Sequence, residues 1–315
     1  MAAPNPLPGN RLAARAIAGA AVSAMLTTIA QDARMTIATS VSHAGSAQLF
    51  ATRRFAAFRE ATRRKTTRIV AYLDVEMELL ITVWIAVMGV AAVAKVATAP
   101  IRPASLGGQC LMALPYLLIA LAPVAGYRVT AGSFPRGLIS AQPFFRLARI
   151  GRWRTLDVIE ARRNPMFGPA GFMASLLVGI LLNVPVRTAE YLAAVPAIGL
   201  DAPAWAHTIL IVMSADVIVM NFFYMVCFVM ALRSIPLFPR MMVYAWVMDL
   251  CMQFAIANEV AHAPNLPPQV AGALLTVLDG NIHKVLISAA IWLPYLLMSE
   301  RVNVTYRRRC STMAA

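Results

Sequence analysis

The residues best placed to do chemistry are two aspartates set in apolar surroundings, Asp216 in IVMSADVIVMN and Asp249 in YAWVMDLCMQF. An ionisable side chain inside a bilayer is costly, by roughly 2.5 kcal/mol or more, and by default marks an ion, proton or substrate path. The tight link from Ser234 to Pro239 makes the two segments antiparallel neighbours. Each aspartate is then expected roughly 12–14 Å below the same membrane surface. Two carboxyls at one depth in a low-dielectric layer suit the holding or passing of a proton. Asn221 and Gln253, with Ser214 and Tyr244, are the nearby polar partners. The competing reading makes all of them packing residues, because polar side chains also hold membrane helices together.

A second candidate is a histidine set. His207, His262 and His283 are expected near the outer ends of three apolar segments, with Glu259, and with Glu190, Asp201 and Asp279 on the same side. Three imidazoles and a carboxylate could hold zinc or meet a lipid substrate. No HxxxH or HExxH spacing accompanies them, so no metal ligand is assigned. There is also no GxSxG elbow, Walker loop or GxGxxG fingerprint. No catalytic residue and no cofactor follow from the sequence. The four cysteines include no CxxC pair, which leaves no disulfide framework or zinc signature.

The elements that must position these residues are membrane helices. The chain is 60% hydrophobic and 13% charged, against roughly 25% charged in soluble domains. Its apolar runs are continuous and long, about 17–25 residues, rather than alternating, which excludes a β-barrel and leaves helices as the spanning structure. Six spans are predicted: 77–96, 110–127, 168–186, 208–232, 238–257 and 285–298, the last one short. The fold class is therefore all-α, a polytopic transmembrane helix bundle. The eight methionines of spans four and five read as adaptable core packing.

Orientation follows from the basic residues. The formal charge is +14, nearly all arginine. Arginine-rich segments lie before span one, between spans two and three, at Arg233 and Arg240, and at Arg301 and Arg307 to Arg309. With six spans all of these share one side, leaving Arg102, Arg187 and Lys284 on the other. By the positive-inside rule both termini face the cytoplasm. A nucleic-acid partner is not expected, since no binding signature accompanies the charge. Residues 16–30 look superficially like a signal peptide, but that reading would place the basic block 53–68 outside. Residues 51–69 put Ala51, Phe55, Phe58, Thr62 and Ile69 on one helical face amid arginines, the pattern of an interfacial helix attracted to anionic lipids. The expected organisation is a basic segment 1–76, a helix pair 77–127, a basic link 128–166, a four-helix domain 167–309 and a tail 310–315.

The ending IWLPYLLMSERVNVTY, with Trp292, Tyr295, Ser299 and Arg301, resembles the last helix of a bacterial inner-membrane domain family of unknown function built on four transmembrane helices. The turn RSIPLFPRMMVYAW is similar to that family's link between its second and third helices. The resemblance covers roughly residues 165–309 and implies no activity, substrate or cofactor. Physically, Trp292, Tyr295, Ser299 and Arg301 suit anchoring at a membrane interface. The sequence favours a non-enzymatic accessory, assembly or scaffold component binding another membrane protein; the alternatives are a small-solute or proton-linked carrier using Asp216 and Asp249 and, second, a lipid-modifying enzyme using the outer histidines.

Overall fold

The computed structural model describes residue 61 and residues 63–312, apart from 102, 138–139, 144–151 and 200. The expected interfacial helix 51–69 lies mostly outside the described residues, as does the 16–30 stretch. A leading helix, α1, covers residues 63–75. It is followed by α2 (Met77–Ala97), α3 (Leu106–Ser133), β1 (Trp153–Thr155), α4 (Val158–Arg163), α5 (Phe172–Ala194), α6 (Ala204–Leu232), α7 (Phe238–His262), α8 (Pro268–Met298), α9 (Glu300–Arg307) and β2 (Arg309–Ser311). Among the described residues six helices are long and apolar enough to cross a membrane: α2, α3, α5, α6, α7 and α8. This is the all-α polytopic bundle that the apolar runs require.

The local reasons for these breaks are legible in the side chains. The Ser105 hydroxyl accepts from the Gly108 amide at 3.1 Å and starts α3. Prolines occupy the first turns of α7 and α8, where a missing N–H costs nothing. Ser234 takes a left-handed conformation (φ 55°) between α6 and α7 and lets the chain reverse within a few residues.

α6 is the central helix. It packs against α3, α5 and α7, with α2 laid on α3 and α8 on α7. One apolar core surrounds the second half of α6, from Met220 to Leu232; a second surrounds its first half at Ile209, Met213 and Val217. At Gly126 α3 comes close against the backbone of α6. Toward the far end, Lys95 of α2 donates its Nζ to the Leu192 carbonyl at 2.8 Å, satisfying a carbonyl in the last turn of α5. By contrast α2 exposes Val83, Val87, Val90 and Val93 along one side. Such an apolar stripe is at home among lipid tails.

The structure corrects several boundaries. The third span runs to Ala194 rather than stopping at Val186, which places Arg187 inside a helix instead of an outer loop. The sixth span is not short: α8 has 31 residues and begins at Pro268. At 1.5 Å per residue it is roughly 46 Å long, more than the ~30 Å hydrocarbon core. Polar residues from Asp279 to Lys284 hide its first half from a hydropathy window. His283 consequently lies midway along α8, not at the end of a span. The basic link carries β1 and α4, and the segment after α9 is a strand: β1 and β2 pair antiparallel, Arg154 opposite Cys310.

Candidate functional site

Arg187 reaches α6 and α7 from α5, and its guanidinium lies between Asp216 and Asp249. Its Nη2 donates to both Asp216 oxygens at 2.8 Å and to Asp249 Oδ1 at 2.8 Å. Nη1 donates to Asp249 Oδ2 at 2.9 Å, and Nε to Asp216 Oδ2 at 3.2 Å. All three residues are buried, Asp249 at 1% exposure. The planar fork of an arginine is what allows one cation to serve two carboxylates in this way.

Helix register delivers a second ring of partners. Gln253 is one turn beyond Asp249 on α7, and its Nε2 donates to Asp216 Oδ1 at 3.1 Å. Tyr224, two turns beyond Asp216 on α6, donates its hydroxyl to Asp249 Oδ2 at 2.7 Å. Asn281 of α8 donates to Gln253 Oε1 at 3.4 Å, extending the network to a fourth helix. Next to this layer, Asn221 donates to Thr188 Oγ1 at 2.9 Å, and Tyr191 and Ser214 share a hydrogen bond of 2.7 Å.

The layer lies deeper than the sequence suggests. Because α6 begins at Ala204 and α7 ends at His262, Asp216 and Asp249 are roughly 18–20 Å along their helices from that end. It is nevertheless reachable. A cavity of about 160 Å³ is bounded by Asn183, Arg187, Tyr224, Asp249, Asn281 and Ser288. Lys284 and Glu190, which also line it, form an ion pair on the exposed side. The volume admits several waters or a solute of a few non-hydrogen atoms. One guanidinium thus faces two carboxyl groups, and with both of them ionised the layer would carry a net charge of −1.

The other residues singled out by sequence are placed elsewhere. Tyr244 is 59% exposed and takes no part in the layer. His207 hydrogen-bonds the Gly199 carbonyl, His262 that of Asn258, and His283 its own helix neighbour Asp279. Glu259 is exposed. Among the described residues no three His, Cys, Asp or Glu side chains are grouped to hold a metal ion, so the histidine set is not assembled as a ligand cluster. Trp292 and Tyr295 pack on Phe172 of α5 at 4.8 and 5.0 Å between ring centroids. Ser299 ends α8 and starts α9, while Arg301 donates to the Met166 and Gly168 carbonyls. Trp292 and Tyr295 thus fasten the end of α8 to the first turn of α5, and Arg301 fastens the start of α9 to the link before it.

Arg187, Tyr224 and Asn281 were absent from the sequence-derived site. For Arg187 the signal existed: two intramembrane acids call for a basic partner at the same depth. An arginine one residue past the apparent end of an apolar run is the natural candidate.

Fold and site together define a polytopic helical membrane protein with a buried charged layer. Residues 170–307, which contain α5 to α9, match the family described as Protein of unknown function (DUF2569). No curated protein matches the chain. No solved structure matches it either.

Proposed function

We propose that this chain is a small-solute or proton-linked carrier of the bacterial inner membrane, with both termini in the cytoplasm, working through the layer formed by Arg187, Asp216 and Asp249. The observation that carries this reading is a buried layer in which two carboxyl groups share one guanidinium at the edge of a cavity. A proton or a small cationic group entering the cavity would neutralise the layer. Its loss would restore the charge, and the Arg187 fork could then shift its weight between the two carboxylates. A charge-dependent preference between two partners on two helices is the kind of bistable element that transport requires. The orientation draws support from Arg187 itself: once it is counted inside the bundle, the outer side holds fewer basic residues still.

The alternative, an accessory or assembly component with a protein partner, rests on the lightly covered α2 and α8. Their apolar faces suit lipid tails equally well, and no further feature favours a partner. The histidine set offers no assembled site to support the lipid-modifying reading.

The test is an infrared pH titration of the purified protein, read at the carbonyl band of protonated carboxyl groups. Wild type should show a pH-dependent band that disappears in Asp216→Asn or Asp249→Asn, with both variants at normal membrane abundance. If the band is unchanged in both variants, the layer does not exchange protons and the carrier reading fails.

A further inference from the structure

At the arginine-rich end of the bundle, α9 and β2 each carry a buried guanidinium group. Arg307 is 6% exposed and Arg309 4%. Arg307 Nη1 donates to the Leu296 carbonyl at 2.8 Å and to Asn303 Oδ1 at 3.0 Å, and Arg309 Nε donates to that same Asn303 oxygen at 2.8 Å. One neutral amide oxygen therefore serves two guanidinium groups. Among the described residues no carboxylate forms an ion pair with Arg307. Its Nη2 is buried and has no hydrogen-bond partner there. Burial first, and then the neighbouring cations Arg309 and Arg240, pull its pKa down to about 10. Burying a guanidinium beside other cations costs far more than a neutral amide returns, unless an anion joins them.

There is a place for that anion. Arg307 lines a small cavity of about 20 Å³ together with Arg240, Tyr306, Gln142 and the prolines of the α6–α7 turn. Gln142 supplies a second buried donor without a partner, its Nε2. The space holds about one or two oxygen atoms, and its polar edge offers donors and positive charge. Oxygens carrying negative charge are what such a set selects, and guanidinium groups match phosphate in charge and geometry. The cavity also lies where the helices end, the level at which headgroups would be found around a membrane bundle. We propose that Arg307, Gln142 and Arg240 form a phosphate-binding site at this end of the bundle, taking the phosphate of an anionic phospholipid or a free phosphate through the same donors.

The test uses the full chain in nanodiscs and reads its melting temperature. Wild type in phosphatidylcholine alone is compared with wild type after adding inorganic phosphate, and with wild type in discs containing phosphatidylglycerol. A saturable rise with inorganic phosphate assigns the free anion, and a rise with phosphatidylglycerol alone assigns the lipid; either supports the site. Gln142→Glu places a carboxylate beside Arg307 and should melt higher than wild type without phosphate, while no longer responding to either addition. Gln142→Leu should need at least tenfold more phosphate or phosphatidylglycerol for the half-maximal shift. No rise in wild type, a rise of equal size in Gln142→Glu, or a rise reproduced by sodium chloride at the same ionic strength overturns the proposal.

Discussion

Gly126 of α3 lies so close to Phe222 of α6 that a Cβ added there would stand 2.7 Å from the Phe222 carbonyl oxygen and 3.3 Å from Met225 Cβ. Backbone cannot move aside as a side-chain tip can, so this glycine sets how near the first helix pair approaches the central helix. Gly126→Ala should destabilise the protein by about 1–3 kcal/mol through overpacking. Gly132→Ala, in the same helix with open space around the new methyl group, should be neutral or stabilising by up to about 1 kcal/mol. Denaturation in mild detergent, followed by intrinsic tryptophan fluorescence, compares the two. Equal effects would show that the α3–α6 approach is not sterically set.

Charge pairs of different burial should behave differently. Arg187→Leu strands two buried carboxylates, and loss of one partner from a buried ion pair costs about 3–5 kcal/mol. The expected result is a large fall in membrane abundance and melting temperature. The pair between Arg128 and Glu78 is bidentate, at 2.8 and 2.6 Å, but more than half exposed on both sides. Glu78→Gln should cost no more than about 1 kcal/mol, less still at high salt. A comparable loss in both variants would contradict this ordering.

Tyr306 of α9 is fully buried and donates its hydroxyl to the Ala231 carbonyl of α6 at 2.9 Å. Burial holds its pKa well above the ordinary tyrosine value. A folded-state pKa raised in this way gives stability that is fully present below the unfolded value, about 10, and is lost as pH climbs beyond it. Tyr306→Phe should therefore cost about 0.5–1.5 kcal/mol near pH 8, and the gap to wild type should narrow above pH 10. Arg307, whose lowered pKa acts in the opposite sense, is common to both proteins and drops out of the comparison. Melting curves of both proteins from pH 8 to 11 provide the measurement; a gap that stays constant or widens would refute the assignment.

The six spans were legible because apolar length is the one property a membrane helix cannot disguise. Their ends were less so wherever a charge falls inside a helix. Arg187 looks like the first residue of a loop, yet it is buried in α5 because Asp216 and Asp249 receive it. The first half of α8 looks like a loop for a related reason: Asp279, His283 and Lys284 are exposed side chains on a continuous helix. That α6 and α7 carry their aspartates to one place could be read from the brief turn between them. The guanidinium between the two could not be found by counting arginines in loops. The strands at 153–155 and 309–311 gave no warning, since three residues are too few for alternation to register.

The short ribbon made by those strands has a bearing on how the protein is assembled. Thr312 donates its hydroxyl to the Arg152 carbonyl across 160 positions of sequence, and everything between them is α4 to α9 and their connections. Translation delivers β1 well before β2, so the ribbon cannot close until α5, α6, α7 and α8 have all been made. The pairing is a tie fastened after insertion, joining the two ends of the four-span segment at one end of the bundle. It turns that segment from an open chain into a closed circuit. If one of the four spans failed to cross, β2 would be left on the far side of the membrane, where β1 could not reach it.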